Sequence, residues 1–186
     1  MQKTDRDGII AEALRLFKLN GYHRTTMADI GQACGLLKGS IYHYFPGKEA
    51  VAIAAMERVL ALFREQVFCW AYEDALPPRA RLEKMIAGTE LYFWDSEGGC
   101  LMGNLTLELI DALPAFAPPI RGYFDEWCGA LAHVLTSAHP PQTASRLARD
   151  GVAKIQGAVL MMRVYGDAEV LHRVDGEILA LLPPTP

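Results

Sequence analysis

The sequence predicts an all-α protein of about nine helices: an N-terminal three-helix domain, then a larger helical bundle. Three observations predict it. Apolar residues recur at three- and four-residue steps along most of the chain, the spacing that gathers them on one helix face. The alternation of a half-buried strand is absent. Glycine and proline punctuate the chain where helices of ordinary length would end.

The first stripe is Ile10, Ala13, Leu14 and Phe17, closed by Asn20-Gly21, with Gly21 as a left-handed C-cap. Thr26-Met27-Ala28-Asp29 has the capping-box pattern, a hydroxyl followed three residues later by an acid. It opens a short helix over about 27–34, which Gly35 breaks, and a third follows at about 38–44, ending at Pro46-Gly47. A long helix begins near Lys48 with the stripe Met56, Val59, Leu60, Phe63, Val67 and Trp70. Pro77-Pro78 separates it from a helix at about 79–95, and Gly98-Gly99 precedes one at about 101–112. Pro114 and Pro118-Pro119 punctuate the approach to a helix ending near Ser137. Pro140-Pro141 leads into a helix over about 142–164, Gly166 ends it, and the last covers about 168–182. The tail Pro183-Pro184-Thr185-Pro186 is expected to fray.

At 186 residues, 51% hydrophobic and 22% charged, the composition is that of a globular protein. The polar start, Met1 to Asp7, is not expected to be a signal peptide. No apolar run of about 18 residues suggests a membrane span. The four cysteines and five histidines are scattered without zinc spacing, so free thiols, a cytoplasmic location and no metal or cofactor are expected. A net charge of −4 argues against nucleic acid, but the balance is split. Residues 1–50 hold seven basic and five acidic side chains, a net of +2, and the remainder is acidic.

Residues 27–45 have the pattern of a helix-turn-helix. Gly35 suits a turn needing positive φ, and Gly31 suits close helix packing. Ile30, Cys34, Leu36, Ile41 and Tyr44 are the inward candidates. The second helix of such a pair can enter the major groove. There Lys38 offers a cation, Gly39 a close backbone approach, and Ser40, Tyr42 and His43 hydrogen-bonding groups. Thr25, Thr26 and Lys48 are phosphate candidates. A helical corner without a DNA role has the same spacing.

Phe17-x-x-x-Gly21-Tyr22-x-x-Thr25-Thr26-x-x-Asp29-Ile30, followed by Gly35-x-x-Lys38-Gly39-Ser40-Ile41-Tyr42-His43-Tyr44-Phe45-x-x-Lys48-Glu49, resembles the N-terminal domain of the TetR/AcrR family of bacterial transcriptional regulators. Leu37 departs from the Ser or Thr common there, removing a helix cap or phosphate contact. The resemblance implies a homodimeric DNA-binding regulator, a repressor released from a palindromic operator by a small molecule. It implies a DNA-binding domain at 1–47, with Tyr44 also on its reading surface, and a ligand-binding and dimerisation domain at 48–186. Family dimers pair their last two long helices. Here the expected stripes are Ala144, Ala148, Gly151, Ile155, Ala158, Val159 and Met162, with Val170, Val174, Ile178 and Leu181. Burial inside one chain is the alternative.

Phe63, Trp70, Met85, Tyr92, Met102, Tyr123, Trp127 and Met161 are candidates to line an effector pocket for an apolar or aromatic molecule, or simply to fill a core. Glu108 and Arg121 are the charged exceptions among them. Cys100, after Gly98-Gly99 and before a helix, is a candidate thiolate sensor of electrophiles, or a packing residue. The segment from Gly99 to Glu108 is similar to one in a branch of the family that includes sensors of electrophiles or unsaturated acids. Two other functions compete: a helical enzyme with Cys100 as nucleophile and His133 or His172 as base, and a helical module that binds another protein.

Overall fold

The computed structural model describes residues 5–94 and 97–184, except the side chain of Lys38. Much of the expected tail lies outside the described residues. Nine α-helices occur among them and no strand: α1 Arg6–Asn20, α2 Met27–Ala33, α3 Lys38–Ile41, α4 Lys48–Gln66, α5 Pro78–Trp94, α6 Leu101–Leu109, α7 Ala117–Leu135, α8 Pro141–Tyr165 and α9 Glu169–Leu179. Short 3-10 turns at Phe68–Tyr72 and Pro114–Phe116 complete it.

Two compact units result. One comprises the chain up to Leu60 together with Cys100–Ile120, and the other Ala61–Gly99 with the chain from Arg121 onward. So α6 belongs by contact with the helix-turn-helix, although it begins at Leu101, 60 residues after α3 ends at Ile41.

In the first unit, Asp5 caps α1 by accepting the Gly8 N–H at 2.9 Å. Ile9, Ala13, Phe17, Ile30, Ile41 and Phe45 are buried against one another's helices. Gly21 ends α1 at φ +81°, and its N–H reaches the Phe17 carbonyl. The ring of Tyr22 packs edge-on to Phe116, centroids 5.3 Å apart.

In the second unit, Phe63 sits among Phe68, Tyr92, Tyr123 and Trp127, at centroid distances of 4.8 to 5.6 Å. Aromatic pairs at such spacing add about 0.5–1.5 kcal/mol each beyond their buried area. Gly151 lets α8 approach its neighbours: a Cβ there would lie 3.3 Å from Leu131 and 3.5 Å from Ile178. Arg79 donates to the carbonyls of Leu179 and Leu182, satisfying acceptors that the end of α9 leaves open.

Several boundaries differ from the sequence expectation, and α6 and α9 each end three residues early, at Leu109 and Leu179. The helix from Lys48 stops at Gln66 instead of running to Trp70, although no Gly or Pro marks the place. The Gln66 carbonyl instead accepts the Trp70 indole N–H, and a Cβ on Gly88 would come within 2.5 Å of it. Close packing of α5 thus sets the break. The third helix closes at Ile41, and residues 42–44 continue as turns. Pro118 and Pro119 lie inside the first turn of α7, where a missing N–H costs nothing.

Candidate DNA-reading surface and C-terminal cavity

The helix-turn-helix begins at Thr26. Its hydroxyl accepts the Asp29 N–H, and the Asp29 carboxylate accepts the Thr26 N–H at 2.8 Å, a complete capping box. Those bonds from Thr26 hold the Asp29 carboxyl below the usual range. Gly35, at φ +65°, turns the chain, and the Leu36 N–H closes on the Gly31 carbonyl at 2.8 Å. Leu37 caps α3 without a side-chain hydrogen bond and is 83% exposed, as its departure from Ser or Thr implies.

Ile41 and Phe45 anchor the reading segment from beneath. Gly39 and His43 are exposed, and a Cβ on Gly39 would meet open space. Tyr42 is 47% exposed and Tyr44 36%, while Ser40 is half-buried. Tyr44, first placed among the inward candidates, is thus at the surface. The expected contribution of the Lys38 side chain lies outside the described residues.

The phosphate candidates divide. Thr26 is exposed at the start of α2. Thr25 is fully buried, and its hydroxyl donates to the Gly21 carbonyl at 2.8 Å. The Lys48 ammonium donates to the Tyr22 carbonyl at 2.9 Å and stands 4.1 Å from the centre of the Tyr22 ring. Burial lowers its pKa, opposed by the charge of Glu108. Thr25 and Lys48 therefore shape the turn that presents α2.

Sequence reasoning missed two participants in this unit. Arg6 is exposed with its guanidinium 4.7 Å from the Phe45 ring centre, which puts a cation beside the reading segment. Glu108, expected as a charged group among effector-lining residues, is instead bonded to backbone: its carboxylate accepts the N–H groups of Tyr22 and His23.

The effector candidates also divide. Phe63, Tyr92, Tyr123 and Trp127 form one cluster, and Met85 is buried beside Trp127 at a small cavity. Trp70 lies outside that cluster, half-buried under the Lys84 ammonium. Met161 is exposed on α8, near Tyr165 and Val170. Met102 and Cys100 are buried in the first unit. Cys100 is the N-cap of α6, its sulfur accepting the Gly103 N–H at 3.4 Å. His133 packs on Tyr72, and His172 pairs with Glu90 at 2.6 Å.

The stripe expected to form the dimer contact is a correction. Of the expected stripes, Ala144, Ala148, Gly151, Ile155, Ala158, Val159 and Ile178 are buried within the single chain, while Met162, Val170, Val174 and Leu181 are half-buried. They hold α8 against its own neighbours. The outward face of α8 carries Ala153, Gly157, Leu160, Met161 and Val164 instead.

The same α9 stripe holds a charge that its spacing conceals. Leu171, Asp175, Ile178 and Leu182 are all buried, so Asp175 occupies a core position. It borders the cavity with Met85, Ile86, Trp127, Leu131 and Ile155. Burial, with the nearby charge of Glu90, pushes its carboxyl up to about 7.

A capped two-helix corner with an exposed second helix, on a three-helix core, defines a helix-turn-helix DNA-binding protein. The family comparisons agree with that class and narrow it. Residues 9–55 match the model of bacterial regulatory proteins of the tetR family, and residues 78–177 that of the LmrA/YxaF-like transcriptional regulator C-terminal domain. The transcriptional regulator LmrA of Bacillus subtilis is 40% identical over 90% of this chain and 91% of its own. An uncharacterized regulator of Mycobacterium tuberculosis is 30% identical over 95% and 93%. The repressor DhaR of a Mycobacterium species is 25% identical over 97% and 93%. Among solved structures, a TetR regulator from Chloroflexus aurantiacus superposes with TM-score 0.82 at 27% identity, covering 94% of this chain and 92% of that one. One from Legionella pneumophila does so with TM-score 0.88 at 21% identity, over 98% and 100%. The chain belongs to the TetR family of transcriptional regulators. The enzyme alternative falls with that finding, because the family is non-enzymatic. Among the described residues, no helix is long and apolar enough to cross a membrane.

Proposed function

We propose that the protein is a cytoplasmic, homodimeric repressor that binds a palindromic operator and leaves it when a small apolar effector occupies the C-terminal bundle. The observation that carries the reading is the exposed row of Gly39, Tyr42 and His43 on a segment anchored by buried Ile41 and Phe45. Such a segment fits a major groove without rearrangement of its core. Arg6 and Thr26 flank it as phosphate contacts, and Lys38 is the reading-helix cation. The name of the relative DhaR supports repression. We place the division of roles at residue 47, although the match to the family's DNA-binding model runs on to residue 55.

Dimerisation is supported by the outward face of α8, where Leu160 is 53%, Val164 60% and Tyr165 75% exposed. Large apolar side chains in one row on a helix face suit a partner better than water. Release is a population shift: an effector favouring the non-binding arrangement weakens operator affinity by its differential affinity for the two states.

Electrophoretic shift of DNA from upstream of the chain's own gene tests the reading. Tyr42→Ala should weaken the shift about tenfold or more, as loss of one specific contact does, with the fold unchanged by circular dichroism. Binding should fall steeply with salt. No shift on any such DNA at low salt overturns the proposal.

A further inference from the structure

Asp175 is 4% exposed, and neither carboxylate oxygen has a hydrogen-bond partner among the described residues. A buried acid without donors is costly, and a leucine in the same stripe would not be. No fixed N–H or O–H donor on the surrounding helices answers it; its one polar partner there is the carboxyl of Glu90. From α7 and α8 the cavity is lined by Trp127, Leu131 and Ile155, all uncharged. From α5 it meets Thr89, whose hydroxyl donates to the Met85 carbonyl of its own helix. Also from α5 comes Glu90, a second acid, whose charge opposes ionisation of Asp175. A hydrogen bond between these two carboxyls exists only while one of them holds a proton. The His172 ring, which also acts on Asp175, is bonded to Glu90.

The cavity beside Asp175 is about 10 Å³, close to the least that admits one water. An anion is excluded by the two acids. A neutral apolar group would leave the carboxylate without a donor. No set of three His, Cys, Asp or Glu among the described residues is placed to hold a metal ion. A primary ammonium group meets the remaining requirements. It is about the size of a water, carries a positive charge and offers three N–H donors. The cavity as it stands has room for the ammonium and not for its carbon chain, which requires Met85 and Ile86 to move aside, and methionine yields readily to such an occupant.

We propose that this cavity is a recognition subsite for a primary ammonium group, with Asp175 as its counter-charge, so that the effector is a slender apolar amine. This rests on reading the C-terminal bundle as the effector-binding domain. Binding places the ammonium against ionised Asp175 and displaces the proton that the carboxyl holds at lower pH. Binding is therefore weaker in acid.

Isothermal titration calorimetry of the full chain with n-butylamine tests this, with 1-butanol as the uncharged match in shape and tetramethylammonium as a cation without N–H donors. The expected result at about pH 8 is saturable binding of n-butylamine only, weakened about tenfold or more in Asp175→Asn. In the wild-type chain, which needs no variant to fold, affinity should fall as pH drops from about 8 to about 6, through the Asp175 value of about 7. Equal binding of butanol or tetramethylammonium, an unchanged affinity in a folded Asp175→Asn, a pH-independent affinity, or no saturable heat with the amine each overturns the proposal. The operator-shift assay on the same preparation separates the two readings. A shift without amine binding defeats the subsite alone, and amine binding without a shift on any DNA defeats the repressor reading alone.

Discussion

The Glu108 carboxylate on α6 clasps the backbone of Tyr22 in the turn after α1, one oxygen 3.0 Å and the other 3.2 Å from its N–H. The same carboxylate takes the His23 N–H at 3.2 Å. Lys48 completes the arrangement from the other side, on the Tyr22 carbonyl. The turn that leads into the helix-turn-helix is therefore set by side chains from α4 and α6. Gly21 is part of the fit, since a Cβ there would stand 2.5 Å from a Glu108 oxygen.

Glu108→Ala should destabilise the protein by about 2 kcal/mol in urea or guanidinium unfolding, the size of losing charge-assisted bonds to backbone. Gly21→Ala should cost more than about 1 kcal/mol, from its positive φ and from the clash. The two changes should not add. With Glu108 truncated, the clash disappears, so Gly21→Ala costs less in that background. Strict additivity would mean that the carboxylate does not sit where the turn needs it.

Much of this unit was legible in sequence because its signals are local. Thr26 and Asp29 are three residues apart, and Gly35 marks its own turn. What escaped depends on distant partners. Glu108 meets Tyr22 across 86 residues. Thr25 has the chemistry of a phosphate ligand, but its hydroxyl turns inward to Gly21. The α8 stripe had the right period and the wrong partner, because periodicity defines a face without saying what covers it. Asp175 hid for the converse reason: its spacing marks a core position and its side chain does not.

Asp175 should make stability fall as pH rises. Its carboxyl holds a proton up to about 7 in the folded chain, against an ordinary value of 3.8. Between those values unfolding releases a proton, so raising the pH favours the unfolded state. The stabilisation is full below about 3.8 and is lost as pH passes through about 7. The effect is on the order of 4 kcal/mol at most. Asp29, Glu126 and Glu177 have lowered values and act in the opposite sense, losing stability as pH falls through the acid range. Subtracting Asp175→Asn from wild type in denaturant melts at about pH 5 and about pH 8 isolates the one group. A difference independent of pH would show that Asp175 is ionised throughout.

The cysteines should react in the order of their access. Cys69 is exposed, Cys34 and Cys128 are half-buried, and Cys100 is buried at its cap. Burial also raises the thiol pKa of Cys34, aided by Glu12, and of Cys128, aided by Asp125 against Arg149. Timed iodoacetamide labelling read by peptide mass spectrometry should find Cys69 first and Cys100 last, about tenfold slower or more. Cys100→Ser should change stability by under about 0.5 kcal/mol, since a hydroxyl serves as an N-cap at least as well. Labelling of Cys100 as fast as Cys69 would favour the electrophile-sensing role over capping.

The two faces of α8 should respond differently to substitution. Leu160→Asp with Val164→Asp puts charge on the outward row, where the single chain loses little. Gly151→Val puts bulk where even an added Cβ would stand 3.3 Å from Leu131, inside the chain. Sedimentation should find the first variant monomeric yet folded, and the second less stable by about 1–3 kcal/mol from overpacking. Operator affinity should fall with the loss of the dimer. The first 50 residues carry a net charge of only +2, so one copy has little attraction for phosphates. Two copies on one duplex gain from the effective concentration that tethering supplies, often a factor of about 100 or more. A double variant that stays dimeric would move the interface off this face of α8. One that becomes monomeric yet binds the operator as tightly as wild type would mean that a single copy reads its site without a partner.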